Sequence, residues 1–102
     1  MQTEQQGLIL MAVVPELLKD DLVDVLMGLE MISGFSLFDI QGFSKEHSQY
    51  SIREQVEGYR GFYRFEIVHS ALHTSVVLDV LKRVSQGQIR YWLVPIIQQG
   101  II

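Results

Sequence analysis

Cysteine is missing from this chain of 102 residues, and proline occurs only twice. Without cysteine the protein can form no disulfide bond, no thiolate zinc site and no cysteine nucleophile. The hydrophobic content of 48% and the charged content of 20% are ordinary for a folded protein, so the core has to come from packing alone. The length predicts one domain over residues 1–102.

Positive charge is scarce as well. Eight Lys and Arg residues stand against twelve Asp and Glu residues, which gives a formal net charge of −4. Lys and Arg form no run, so the sequence lacks the basic surface of a nucleic-acid-binding protein. No apolar run reaches the roughly 18 residues that a membrane-spanning helix needs, and residues 1–6 are polar, unlike a signal peptide. We therefore expect a cytoplasmic protein that binds no nucleic acid and does not itself span a membrane.

The first part of the sequence predicts a strand, a helix and a second strand. Residues 8–14 form a continuous apolar run of strand length, and its lack of alternation indicates burial on both faces. Pro15 favours the start of a helix. Apolar residues then recur at spacings of three and four until a turn at Ser33 and Gly34, in a stripe formed by Leu18, Leu22, Val25, Leu26 and Leu29. Residues 34–43, with aromatic and branched side chains between two glycines, predict the second strand.

A polar and charged segment, residues 44–60, follows the second predicted strand. The segment is long for a connection within a compact domain, and long connections often carry function. Ser51 and Glu54 have the spacing of a capping box, which predicts a short helix over residues 52–57. Tyr50 has no apolar pattern around it, so it is either a contact or modification residue or simply an exposed tyrosine.

The last part of the sequence repeats the order of strand, helix and strand. Residues 61–68 alternate between apolar and charged side chains, which predicts a half-buried strand. Residues 72–84 predict an amphipathic helix with inward positions at Leu72, Val76, Val80 and Val84. A turn at Gln86 and Gly87 leads into a strand over residues 89–94, which Pro95 ends.

The predicted order βαββαβ is that of an α+β, ferredoxin-like fold with a four-stranded antiparallel sheet. Two helices can cover only one face of such a sheet. Residues 8–14 are apolar on both faces, and Phe62 and Trp92 fall on strand positions opposite the inward sets. Because soluble monomers avoid exposed apolar patches of this kind, we expect the second face to be buried between copies of the chain.

Two histidines are the candidates for a metal site. His69 and His73 are four residues apart, and Glu66 or Asp79 could complete a set of ligands for a divalent cation. The opposing interpretation is that the spacing is accidental and that both histidines are surface residues near a turn. His47 lies in the polar segment and is expected to be solvated.

An anion held between subunits is a second possible ligand. A guanidinium group binds phosphate or carboxylate through two parallel hydrogen bonds, and the candidates are Arg53, Arg60, Arg64 and Arg90. The alternative is that these arginines pair with the glutamates nearest to them, which are Glu54, Glu57 and Glu66. The sequence contains no Gly-x-Ser-x-Gly nucleophile motif and no phosphate-binding glycine-rich loop, so we expect no catalytic residue.

In the order and spacing of its elements, nearly the whole chain resembles the PII-like family of signalling proteins. AVVPELLKDDLVDVL is similar to the family's first strand and helix, and ISGFSLFDIQGF is similar to its second strand, with the characteristic Gly42-Phe43 ending. YRFEIV resembles the third strand, and the polar segment stands where the family carries its effector loop. EQVEGYR and the ending YWLVPII resemble an uncharacterised PII-like branch associated with heavy-metal efflux systems.

The resemblance implies a homotrimer with ligand clefts between subunits. It also implies a regulator without catalytic activity, which senses a small ligand or metal and acts on a partner protein through its loop. The partner would be a membrane transporter or an efflux component. The loop residues expected to contact ligand or partner are Tyr50, Arg53, Glu57 and Arg60.

Two departures from the family concern the cofactor. Nucleotide-binding PII proteins place a glycine-rich, lysine-containing turn after the second helix and basic residues after the last strand. This chain has Ser85-Gln86-Gly87-Gln88 at the turn and an apolar tail over residues 96–102. The resemblance therefore carries no nucleotide over to this chain, and the cofactor stays unidentified.

A second resemblance, to the CutA group with the same trimeric fold, implies a divalent-metal-binding tolerance protein. His69 and His73 are the residues that would decide between the two functions. An acylphosphatase-like enzyme on this fold would need an anion-binding arginine in the turn after the first strand, where this chain has Pro15 and Glu16.

Overall fold

The computed structural model describes residues 6–43 and 60–102. Within these residues the chain forms four strands and two helices, and a single 3-10 turn precedes each helix. In chain order the elements are β1 Gly7–Pro15, α1 Lys19–Met27, β2 Ser36–Gly42, β3 Arg60–Ser70, α2 Thr74–Ser85 and β4 Arg90–Pro95. The short helix expected over residues 52–57 lies outside the described residues.

The four strands form one antiparallel sheet with the spatial order β2-β3-β1-β4. The two central strands, β1 and β3, pair along the whole of β1, from Gly7 opposite Ser70 to Pro15 opposite Phe62. This topology confirms the ferredoxin-like α+β fold expected from the sequence. Each strand lies within two residues of its expected bounds at either end.

The apolar run of β1 contributes to both faces of the sheet. Leu10, Ala12 and Val14 are completely buried, whereas the alternate residues of the strand are partly exposed. The buried set packs with Phe65 and Ile67 of β3 and with one side of each helix. The core therefore lies between the sheet and the two helices, and residues 8–14 are apolar on both faces as expected.

The first helix ends earlier than the apolar stripe predicts. A 3-10 turn, Glu16–Leu18, precedes α1, and the helix ends at Met27 instead of continuing to Ser33. The N–H groups of Gly28 and Leu29 donate to carbonyls three residues back, which tightens the last turn and stops the α-helical pattern. Leu29, expected in the helical stripe, packs against the core from this turn.

The inward face of the second helix is rotated from the expected one. Residues Ala71–His73 form a 3-10 turn, and Ser70 caps it by accepting the Leu72 N–H. Because a 3-10 turn advances 120° per residue and not 100°, Leu72 falls off the helical stripe and is 65% exposed. The expectation that Leu72 points inward is therefore wrong, and the buried positions of α2 are Val77, Val80, Leu81 and Val84.

The turn after α2 needs left-handed backbone. Gln86 and Gly87 have φ angles of 51° and 73°, and the Ser85 carbonyl accepts the Gln88 N–H at 2.9 Å. This is the turn that the sequence places here, and Gly87 suits it because glycine adopts positive φ without strain. Neither helix in the described part of the chain is long and apolar enough to cross a membrane.

Phe65 is the largest completely buried side chain of the core, and its ring stacks on Phe35 with centroids 5.8 Å apart. We expect Phe65→Ala to lower the free energy of unfolding by about 3–5 kcal/mol, because it removes a buried ring and leaves a cavity. Urea denaturation at a fixed protein concentration measures this loss. The control Leu17→Ala removes an exposed side chain and should change stability by about 0.5 kcal/mol or less. Equal effects of the two substitutions would contradict this assignment of the core.

Candidate functional site

The face of the sheet opposite the helices carries apolar side chains from all four strands. We call it the open face. Its apolar members are Ile9, Met11 and Val13 of β1, Phe38 and Ile40 of β2, Phe62 and Val68 of β3, and Trp92 and Val94 of β4. Phe38 is 44% exposed and Trp92 is 43% exposed. The expected positions of Phe62 and Trp92 on this face are confirmed by the strand register.

A short row of charge crosses the middle of the open face. Arg64 of β3 lies opposite Val13 of β1 and opposite Phe38 of β2, and Arg90 of β4 lies opposite Val13 from the other side. The Arg64 Nη2 atom is 3.4 Å from the Glu66 Oε2 atom, and the guanidinium carbon is 4.9 Å from the centre of the Phe38 ring. The interpretation that Arg64 pairs with a neighbouring glutamate is therefore confirmed.

The base of the polar segment is formed by the ends of β2 and β3. Arg60, the first residue of β3, lies opposite Gly42, the last residue of β2. A Cβ atom placed on Gly42 would overlap the Phe62 ring, so the ring lies directly across this glycine. This contact explains physically why glycine stands in the Gly42-Phe43 ending of the second strand. The other expected loop residues, which are Tyr50, Arg53 and Glu57, lie outside the described residues, as does His47.

A charged corner lies beside this base on the helix side. The carboxylate of Glu16 reaches Gly61, where an added Cβ would be 3.2 Å from Oε2. Lys19 Nζ lies 5.0 Å from the centre of the Tyr63 ring and 3.3 Å from Asp20 Oδ1. The hydrogen bond to Asp20 and the negative charge of that residue raise the pKa of Lys19. Sequence reasoning missed Lys19, because nothing in its local pattern shows that Tyr63 of β3 lies beneath it.

The two candidate metal ligands have different environments, because His73 is partly exposed at the end of the 3-10 turn Ala71–His73 and His69 is buried. His69 is 5% exposed, so the interpretation that both histidines are surface residues is wrong for His69. Its Nδ1 lies 3.0 Å from the Ile67 carbonyl oxygen and its Nε2 lies 2.8 Å from Thr74 Oγ1. Because a carbonyl only accepts, Nδ1 donates to the Ile67 carbonyl, and the second ring nitrogen, Nε2, is paired with the Thr74 hydroxyl. Within residues 6–43 and 60–102, no group of three or more His, Asp or Glu side chains is placed to hold a metal ion.

The apolar tail after β4 is fixed at its start and exposed beyond it. The Ile96 N–H donates to the Gly7 carbonyl at 3.0 Å, and the Gln6 amide donates to the Ile96 carbonyl at the same distance. An added Cβ at Gly7 would be 2.8 Å from the Gln99 amide nitrogen, so the tail passes close over this glycine. Ile97, Ile101 and Ile102 are nevertheless fully exposed.

The sheet order, the uncovered face and the segment between β2 and β3 together define a class of protein, a ferredoxin-like chain with the PII arrangement. The structure is similar to that of Arabidopsis thaliana PII bound to citrate, with a TM-score of 0.68 and 13% sequence identity. The match covers 91% of this chain and 79% of the PII chain. A likeness at this identity shows the fold, and the expected PII-like fold is confirmed.

The chain belongs to the DUF3240 family, a family described as proteins of unknown function, whose model matches residues 4–102. It is 39% identical to a solved DUF3240 family protein from Shewanella baltica OS155, with a TM-score of 0.79. That match covers 100% of this chain and 99% of the other. The search of curated proteins gives no match. The association with heavy-metal efflux stays a prediction.

The packing of Phe62 on Gly42 can be tested with two glycines of one chain. We expect Gly42→Ala to lower the free energy of unfolding by about 1–3 kcal/mol, because the new methyl group overlaps the Phe62 ring. Gly34→Ala is the matched control, since a Cβ there has no neighbour within 4 Å and stability should stay equal or rise slightly. Urea denaturation measures both.

A second substitution identifies the cause of the Gly42→Ala effect. If the overlap with the ring is responsible, Gly42→Ala should cost little in a Phe62→Ala background, which a double-mutant cycle measures. A cost that is independent of Phe62 would show that the backbone of Gly42, and not the ring, sets the requirement for glycine.

Proposed function

We propose that this protein is a non-catalytic, PII-like regulator that assembles through its open face. In this proposal three copies form a ring with their open faces toward the centre, and a small ligand binds in the clefts between copies. The segment of residues 44–60 carries the signal to a partner protein. The protein acts in the cytoplasm, and its partner is a membrane transporter or an efflux component.

The observation that carries the proposal is the open face itself. Nine apolar side chains from all four strands lie on one side of the sheet, and no described helix or strand covers them. A contiguous apolar surface on a protein without such a cover marks an interaction site. A surface formed by four paired strands suits another sheet of the same kind better than it suits a small ligand, because small-molecule sites are concave.

Assembly through the open face would bring the base of the polar segment to a boundary between copies. Phe62 belongs to the open face and also lies across Gly42, from which the segment leaves β2. A ligand in such a cleft would therefore lie beside the start of the segment, where Arg60 begins β3. The similar PII structure is described as bound to citrate, which supports a small anionic ligand here. Tyr50, Arg53 and Glu57 lie on the segment itself.

The mechanism that we propose is a shift between two conformations of the regulator. A ligand that binds one conformation more tightly than the other changes their populations, and the partner distinguishes the two through the segment. The net charge of −4 favours a protein partner over nucleic acid.

A charge on the open face should prevent assembly. We expect Trp92→Glu to convert the oligomer to monomers, because burial would strip water from an unpaired carboxylate. The matched control is Leu72→Glu, which puts the same charge on an exposed leucine of the helix layer and should leave the oligomer intact. Sedimentation velocity at micromolar concentration measures both. A monomeric wild-type protein would refute the proposal.

The polar segment should act on the partner without holding the assembly together. We expect deletion of residues 47–57 to leave the sedimentation of the oligomer unchanged and to abolish partner binding. The measurement is a pull-down from detergent-solubilised membranes of the source cells, with the captured transporter identified by mass spectrometry. A deletion variant that dissociates would contradict this division of roles, as would one that still captures the transporter.

A further inference from the structure

Arg64 has more hydrogen-bond donors than the described residues satisfy. A guanidinium group has five N–H donors. In the described part of the chain its polar contact is the one with Glu66, and the distance of 3.4 Å is longer than the usual 2.7–2.9 Å of a charge-assisted hydrogen bond. The Arg64 Nε atom is buried and has no acceptor among the described residues. Within residues 6–43 and 60–102 the side chain is thus incompletely paired.

The position of the pair in the sheet places it in the middle of the open face. Arg64 and Glu66 both lie on β3, a central strand, two residues apart and on the same side. Across the sheet, Val13 lies opposite Arg64 and Met11 lies opposite Glu66. The two side chains are 36% and 29% exposed, so both charges are partly covered by an apolar surround. A rim position would leave both charges in water after assembly, whereas this central position does not.

A partner that covers the open face has to satisfy these charges. A purely apolar partner would remove water from the guanidinium and the carboxylate and leave donors and acceptors unpaired, which is costly. A second copy of the same face brings one Arg64 and one Glu66 to the contact, so the central pair is complementary to itself in charge, while Arg90 lies on the edge strand β4. Among the residues of the four described strands, Glu66 is the one acidic residue that the register places on the open face.

We propose that Arg64 of one copy pairs with Glu66 of the next copy and that this pair fixes how the open faces meet. The inference rests on assembly through the open face, as proposed above, and adds the residues that determine it. In a closed ring, each copy gives its Arg64 to one neighbour and receives the other neighbour's Arg64 at its Glu66. The result is a ring of alternating charge inside an apolar interface. We expect this pair to set the register of the two faces more than it adds stability, because removing water from both charges offsets much of their attraction.

The test uses two variants with opposite charge at the centre of the face. Arg64→Glu leaves two carboxylates there, and Glu66→Arg leaves two guanidinium groups. We expect each variant alone to fold, by circular dichroism, and to self-associate at least roughly tenfold more weakly than wild type, because like charges meet in every contact. Sedimentation velocity over a concentration series measures the association.

Mixing the two variants decides whether the pair crosses between copies. Native mass spectrometry of the mixture should show oligomers that contain both chains, in large excess over either homo-oligomer. In a mixed ring of three, two of the three contacts regain an Arg–Glu pair. The double variant Arg64→Glu/Glu66→Arg restores every contact and should assemble alone, close to the wild-type level.

A control pair excludes simple attraction between oppositely charged proteins. Asp79→Arg and Lys82→Glu change charge by the same amounts on exposed positions of α2, and we expect both to assemble like wild type and to mix without preference. Single variants at 64 and 66 that assemble normally would overturn the inference, and so would weakened variants that gain nothing from mixing. In both of those outcomes assembly through the open face still stands, whereas a monomeric wild type refutes the proposed function as well.

Discussion

Two helices can cover one face of a four-stranded sheet but not both, and the described part of this protein depends on that geometry. The helices bury Leu10, Ala12 and Val14 of β1 and leave the alternate residues of the same strand on the open face. Such a strand contributes one face to the core, while its other face leaves apolar side chains that another surface could cover. The core and the open face are therefore specified by the same short run of residues.

Phe62 connects this surface with the base of the polar segment. Its strand position places it on the open face, opposite Pro15 and Ile40, while its ring lies across Gly42 at the end of β2. A partner on the open face would therefore contact a residue that also packs against the end of β2, where the polar segment begins. On the other side of the sheet, Glu16 and Lys19 place charge beside the same strand ends. Through these contacts, the proposed assembly and the base of the polar segment share residues, so a change in one acts on the other.

Membership of the DUF3240 family and the PII-like fold do not by themselves name a ligand. The chain's own residues limit the kinds of ligand that the protein could bind. The turn at Gln86 and Gly87 carries no lysine, and the tail that follows β4 is apolar. Both ring nitrogens of His69 are hydrogen-bonded to other residues of the fold and are not free to bind a metal ion. In the assembly that we propose, the central charges of the open face, Arg64 and Glu66, recognise a second copy of the chain, because specificity arises where a wrong partner would leave charges unpaired.

The sequence alone determined the order of elements, the two-faced character of residues 8–14 and the alternation of residues 61–68, because these depend on local periodicity. Periodicity did not locate the end of α1 or the exposure of Leu72, since 3-10 turns shift the helical phase by hydrogen bonds that a pattern does not show. Burial of His69 depends on Thr74 in the next element, and the contact between Gly42 and Phe62 joins two different strands. Such contacts between separate elements exist only once the strands have paired, so the tertiary structure decided them.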